Sequence, residues 1–362
     1  MTITTATRTE QEQERIASAK FVYIVAEAGC GKTFTGDYLN LMHGYSHVDG
    51  DCILKNCHIP KNRELTYRFL KSYDLAKDHG EDGPEELWKP FYEEIAMLTL
   101  DAAKHSDHVV LTHASYRQAY RKCVVKKLIE GGAKRENITI LQLTIDMDVK
   151  LKGLYYRTKE QCESGGMTLG DGMRSGGWEG EGDITLSGFI KFSKEQMQKS
   201  IGGFENIPNG YGITVDVSGR DLTHLHGVDE ALLLKRSTDD EILSFEEIKD
   251  KVKLIDQARD KEFGSNGSLE IMIQISKELN GEGTDDDDDD NDEIENNNTN
   301  TDADIVKDIK EQEKSKNRRS SLASVEYLSR EFLRSSLNSN DSEEQKKIMK
   351  GRRVSLINTG KI

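Results

Sequence analysis

The sequence predicts an α/β fold: a parallel sheet with helices on both faces. Three observations point there. Short, almost wholly apolar, β-rich runs such as Phe21-Val22-Tyr23-Ile24-Val25 are what a strand buried on both faces requires. Such runs alternate with amphipathic, helix-compatible stretches throughout residues 20–235, the pattern of β-α units that cover one sheet from both sides. The first run also leads straight into a glycine-rich turn and then into a helical pattern.

The elements follow in chain order. Residues 1–19 form an N-terminal extension that lacks the apolar core of a signal peptide, and Glu10, Glu12 and Glu14 set it apart from acid-poor transit peptides. After the first strand, Tyr38, Leu39, Leu41 and Met42 mark a helix. A second strand around Ser46-His47-Val48 ends in Asp49-Gly50-Asp51. Residues 62–105 read as helical, with apolar positions at Leu65, Phe69, Leu75, Leu87, Phe91, Ile95 and Leu98. The third strand, His108 to Thr112, ends in His113-Ala114-Ser115 and precedes a helix from Tyr116 to Glu130. The fourth strand, Ile138 to Leu143, precedes a helix through Val149, Leu151, Leu154 and Arg157. Eight glycines between residues 162 and 186, with Gly188 just beyond, predict a mobile loop inside an insert spanning about 158–190. The strand Gly212 to Val217 closes the pattern. Residues 236–280 read as a helical extension of one or two amphipathic helices, apolar at Ile242, Phe245, Ile248, Val252 and Ile255 and then at Leu269, Ile271, Ile273 and Ile275.

Composition limits the function classes. The 362 residues are 35% hydrophobic and 32% charged, so part of the chain is not expected to pack. The net charge of −15 is unevenly placed: residues 282–313 carry −13, residues 314–362 carry +7, and residues 1–281 carry −9. Residues 281–362 therefore read as a disordered tail, acidic and then basic, with a weak helical pattern from Ser324 to Leu337. The acidic balance argues against general nucleic-acid affinity. No run approaches the roughly 20 apolar residues that span a bilayer, so no membrane association is expected. Five cysteines, an odd number without framework spacing, fit reduced thiols and a cytoplasmic location.

Chemistry is concentrated where the first strand meets the first helix. Ala26-Glu27-Ala28-Gly29-Cys30-Gly31-Lys32-Thr33 follows the phosphate-loop pattern, with alanine in place of its first glycine. The expected fold class is thus the P-loop NTPase fold, and the expected ligands are ATP and Mg²⁺. Backbone N–H groups of Ala28, Gly29, Cys30, Gly31, Lys32 and Thr33 would surround the phosphates at a helix N-terminus. Lys32 would reach the β- and γ-phosphates, and Thr33 would ligate the metal. Asp49 and Asp51 stand at the carboxyl end of a strand, where an open parallel sheet places its ligands. Two carboxylates separated by one glycine can face different ways, one toward metal and one toward an acceptor hydroxyl, as phosphoryl transfer needs.

With these residues in place, the chain resembles the gluconate and shikimate kinase group of small-molecule kinases, and gluconokinases most closely, over residues of about 20–235. The resemblance rests on the loop from Ala26 to Thr33, on His47-Val48-Asp49-Gly50-Asp51, on the stretch Val109 to Arg121, on Arg157, and on Ile213-Thr214-Val215-Asp216. It implies transfer of the γ-phosphate of ATP to a hydroxyl of a small metabolite, a sugar acid in the first place. Asp51 would be the base that meets the acceptor, Asp49 would support Mg²⁺, and Arg157 would close over the phosphates. The family's acceptor-shaping segments are replaced here by Cys52 to Pro60 and by Glu86-Leu87-Trp88-Lys89-Pro90, so the acceptor itself does not follow. A nucleotide-dependent switch or scaffold, or a degenerate pseudokinase, are the alternatives; Ala26 and the missing acceptor segment favour the second. A nucleotide or polynucleotide kinase would need a base-binding or backbone-binding site that the sequence does not display.

Other motifs weigh less. Cys52, Cys57 and His58 lack the second pair of a zinc site and read as packing residues. Arg117 and Arg121 lie four apart on one helix face, able to anchor an anionic acceptor or to form a solvated, salt-bridged face. The run Asp285 to Asp290 lacks the glycine and terminal glutamate of a calcium loop. In the tail, Arg318-Arg319-Ser320-Ser321 and Arg352-Arg353-Val354-Ser355 match the Arg-Arg-x-Ser pattern of basophilic protein kinases, which makes Ser321 and Ser355 expected phosphorylation sites.

Overall fold

The computed structural model describes residues 3–75, 82–164, 168–174, 178–199, 204–235 and 243–280. Five strands, β1 (Lys20–Val25), β2 (Ser46–Asp49), β3 (His108–His113), β4 (Ile138–Thr144) and β5 (Ile213–Asp216), form one parallel sheet in the order β2-β3-β1-β4-β5. The register pairs Val25 with His113 and Asp49 with Thr112, so the carboxyl ends of β1, β2 and β3 meet at one edge.

Strand alternation builds two cores from the same strands. Phe21, Tyr23, Val109, Leu111, Ile138 and Ile140 face one side, and Val22, Ile24, Val110, Leu141 and Leu143 face the other. The first side is covered by α4 (Pro60–Asp74), α5 (Glu85–Ala103) and α6 (Gln118–Glu130), with Ile16 of α1 (Ile3–Ser18) joining them. There Phe69 stacks on Phe91 with centroids 4.1 Å apart. The second side is covered by α2 (Lys32–His43), through Tyr38 and Leu39, and by α10 (Leu222–Ala231), through Leu225 and Val228. Each such large apolar side chain contributes about 1.5–3 kcal/mol when removed from water, which holds helices on both faces. Among the described residues, no helix is long and apolar enough to cross a membrane.

Three departures from the sequence reading have physical causes. Residues 62–105 divide into α4, which ends at Asp74, and α5, whose start is set by Pro84, which disfavours helical backbone at Gly83 and serves as the N-cap. The glycine-rich stretch is not simply a loop. The helix α7 (Met147–Ser164) runs into it, α8 (Leu169–Arg174) lies within it, and α9 (Leu186–Lys199) follows. Leu169, Met173, Ile184 and Phe189 pack on Leu151 and Leu154 as a third core, and Arg174 donates to the carbonyls of Gly180 (3.2 Å) and Gly182 (2.8 Å). Apolar residues between the glycines thus supply the burial that glycine cannot.

The third departure concerns the helical extension, which forms α11 (Phe245–Ser265) and α12 (Ser268–Asn280). It is no appendage: Ile248 and Val252 enter the second core, while Phe263, Met272 and Ile275 enter the first. The tail, with Ser321, Ser355 and the segment Ser324 to Leu337, lies outside the described residues.

Candidate active site

The phosphate loop begins where β1 ends. Gly29 (φ 81°) and Gly31 (φ 80°) both adopt left-handed backbone, the conformation that glycine takes without a steric cost and that turns successive amides inward. Gly31 is the N-cap of α2 and brings no capping side chain, so the first-turn amides of that helix stay open to an anion. Alanine at position 26 creates no strain: among described non-glycine residues, positive φ occurs only at Arg220 and Leu233, and Ala26 is fully buried in the second core.

Several side chains fix this loop. The Tyr116 hydroxyl accepts from the Ala28 N–H at 3.1 Å, and Arg220 donates to the Gly29 carbonyl at 3.2 Å. Lys150 of α7, 2% exposed, pairs with Glu27. The Lys32 ammonium donates to the Glu27 carbonyl at 2.8 Å. Burial lowers its pKa, against the opposing pull of Cys30, Asp51 and Asp49. Lys32 therefore shares one electrostatic neighbourhood with both aspartates. Arg157 is exposed on α7, within electrostatic reach of Arg220, whose guanidinium pKa is lowered by partial burial first and by Arg157 in a smaller part.

The aspartates occupy the other flank. Asp51 heads the short helix α3 (Cys52–Lys55), and its N–H donates to Asp49 Oδ1 at 3.2 Å. Burial and the neighbouring Asp49 carboxylate raise the Asp51 pKa to about 6, although 41% of its side chain remains open to solvent. A carboxyl poised there changes charge near neutral pH. Asp49 is buried among cations. Lys55 lies 3.4 Å and Arg259 3.5 Å from its Oδ2, and burial, which alone would raise its pKa, is outweighed by Lys55, His47 and Arg259. A metal at Asp49 would have to share the carboxylate with these partners.

His113 completes this flank. Its Nε2 lies 3.6 Å from Asp51 Oδ1, and its Nδ1 lies 3.2 Å from Ser115 Oγ, which is 2.5 Å from the Tyr23 hydroxyl. Burial and then Lys32 push the imidazole down to about 3, so it is neutral at physiological pH. A Cβ on Gly50 would come 2.7 Å from the His113 Cβ, which is why the residue between the two aspartates has none.

The structure thus brings together Lys32, the loop Ala28–Thr33, Asp49 and Asp51. Sequence reasoning missed His113, Tyr116, Lys150, Arg220, Lys55 and Arg259. His113 and Tyr116 stood inside a recognised motif without a role, and the others carry no local signal. Arg117 and Arg121 present no common face for an anion. Arg117 pairs with Asp82 (2.7 Å) and Glu205 (2.9 Å), while the buried Arg121 donates to the carbonyls of Ser115 (2.8 Å) and Tyr116 (2.9 Å) over the Phe204 ring. Cys57 and His58 bond to Ser268 of α12, and all five cysteines are free thiols. Among the described residues, no group of three or more His, Cys, Asp or Glu side chains could hold a metal ion.

Comparison with protein-family models and with curated proteins finds no match. Among solved structures, the chain is similar to a sugar kinase from Janibacter sp. HTCC2649, with 12% identity, a TM-score of 0.35, and coverage of 60% of this chain and 95% of that one. It is also similar to a gluconokinase from Sinorhizobium meliloti 1021, with 16% identity, a TM-score of 0.33, and coverage of 60% of this chain and 96% of that one. Likeness at this level bears on neither substrate nor mechanism, which rest on the site itself.

Proposed function

We propose that the chain is an ATP-dependent phosphotransferase acting on a hydroxyl of a small metabolite, with a sugar acid as the acceptor class the sequence resemblance implies. One observation carries the reading: an open helix N-terminus with two left-handed glycines faces, across Lys32, a carboxyl held near pKa 6. The amides of Gly29 to Thr33 fit a polyphosphate, and Thr33, half-buried at the start of α2, would hold an Mg²⁺ that enters with it. Bound ATP with Mg²⁺ would supply the transferable phosphoryl group and neutralise its developing charge. Asp51 takes the proton of the acceptor hydroxyl, while neutral His113 beside it limits the directions the carboxylate can turn. Lys32 stabilises charge on the transferred group, and Arg157, exposed on α7, is the residue that would close over the phosphates. The ordinary backbone of Ala26 weighs against one of the two arguments for a degenerate pseudokinase.

The test is in two stages. Thermal shift with a non-hydrolysable ATP analogue and Mg²⁺ should show binding, and phosphate transfer should then appear with one of a panel of sugar acids, sugars, shikimate and nucleosides. Absence of nucleotide binding by the folded chain overturns the reading; binding without transfer to any hydroxyl restores the switch or scaffold.

A further inference from the structure

Arg259 lies on α11, outside the part of the chain that resembles small-molecule kinases, and reaches the floor of the acceptor flank. Its Nη2 donates to Asp37 Oδ1 at 2.6 Å, and its Nη1 lies 3.2 Å from Asp256 Oδ1 and 3.5 Å from Asp49 Oδ2. Asp37 belongs to α2, the helix that the phosphate loop opens, and is 1% exposed. Its Oδ1 also meets His47 Nδ1 at 2.7 Å, and its Oδ2 has no hydrogen-bond partner. Arg259 therefore sits between two buried carboxylates, one on the phosphate-binding helix and one beside the base. Asp49 in turn accepts the Asp51 N–H. The neighbouring Asp260 takes Lys55 at 3.1 Å, and that lysine is the other cation on Asp49.

We propose that Arg259 is a positioning residue for phosphoryl transfer: by joining Asp37 to Asp49 it holds the Asp49-Gly50-Asp51 turn in register with the phosphate loop, so that α11 completes the acceptor side of the site. This rests on the kinase reading. The physical reason is the guanidinium fork. Two buried carboxylates on different elements need a cation between them, and the planar guanidinium presents a separate nitrogen to each at a fixed spacing, whereas an ammonium such as that of Lys55, between Asp49 and Asp260, meets its partners from one atom on a flexible stem. Hydrophobic anchoring at both ends of α11, through Ile248 and Val252 in one core and Phe263 in the other, fixes where the fork stands. A misplacement of about 1 Å can cost about a hundredfold in rate, which is how a residue that never touches substrate can set turnover.

The test compares the full-length wild type with Arg259→Lys and Arg259→Ala, using ATP with Mg²⁺ and gluconate for kinetics and hydrogen exchange for local order. Arg259→Lys keeps the charge and should stay folded. Its kcat is expected to fall about tenfold with KM for ATP within about twofold, and Arg259→Ala should fall about a hundredfold. In both, amide exchange should accelerate over residues 49–55 and stay unchanged over 26–33. Unchanged kcat in Arg259→Lys, or exchange that rises equally over β1 and the loop, overturns the proposal in favour of a purely structural ion pair. If the wild type binds ATP and phosphorylates no hydroxyl compound, the kinase reading fails by itself. Exchange in Arg259→Lys then decides the geometric claim alone: acceleration confined to 49–55 supports Arg259 as the residue that holds the Asp49-Gly50-Asp51 turn, whatever chemistry the site performs, and none overturns it.

Discussion

The two flanks of the site are built in opposite ways. The proposed phosphate flank is eight consecutive residues, Ala26 to Thr33, and what it offers a ligand is mainly backbone: two left-handed glycines and an open helix end. The acceptor flank is assembled from side chains that lie far apart in the chain, Asp49, Asp51 and Lys55 on one segment, His113 on a second, and Arg259 with Asp260 on a third. A backbone site tolerates side-chain change, except at Lys32, but not a change of φ. A side-chain site tolerates backbone adjustment but fails when a charge or a partner is removed.

The largest effects should separate the flanks. Asp51→Asn is expected to lower transfer by about 10²–10⁴, the range for loss of a general base, while leaving affinity for an ATP analogue within about twofold. Equal loss of nucleotide binding would show that Asp51 belongs to the phosphate flank and would break the comparison. Lys32→Ala should remain folded and lose about 10²–10³ in turnover, since the ammonium's work is on the transferred charge. A folded Lys32→Ala protein with near-normal turnover would remove the enzyme assignment altogether.

The pH response sharpens the contrast. Transfer should rise with pH through about 6 as Asp51 ionises, and Asp51→Asn should lose that limb; a wild-type profile flat between pH 5 and 7 would contradict the role. Stability should move for a different reason. His113 has a folded pKa of about 3 against 6.5 when unfolded, so the unfolded chain binds the extra proton. Its contribution is complete above about pH 6.5 and is lost as pH falls toward 3, by about 1.4 kcal/mol per unit. Asp51, with a raised pKa, opposes this between its unfolded value and about 6, so the clean comparison is in the Asp51→Asn background. There, His113→Gln should flatten the acid dependence of the melting temperature; an unaltered slope would mean the imidazole does not govern it.

The smallest effects come from single Cβ atoms. Gly50→Ala would press on His113 and should cost about 1–3 kcal/mol, with transfer more affected than nucleotide binding. Gly31→Ala meets nothing within 4 Å but must hold φ near 80°, a strain of about 1–2 kcal/mol, with nucleotide affinity the more affected. Denaturant midpoints and analogue titrations on the two variants check this crossed pattern; the same pattern in both would erase the distinction.

What the sequence by itself determined was whatever is encoded in neighbouring residues. The β1 run, the loop from Ala26 to Thr33 and the helix behind it are contiguous, and the alternation of strand and helix specifies a parallel sheet because each strand must be buried on both faces. The tertiary structure decided the rest. That Ala26 is unstrained depends on the φ its surroundings impose. That the glycine-rich insert contains helix depends on Leu169 and Met173 finding Leu151 and Leu154. That α11 delivers Arg259 to Asp37 and Asp49, more than 200 residues away in sequence, depends on both cores gripping one helix. Periodicity reports which face of an element is apolar; which buried charges meet beneath the site is fixed only when those faces close on one another.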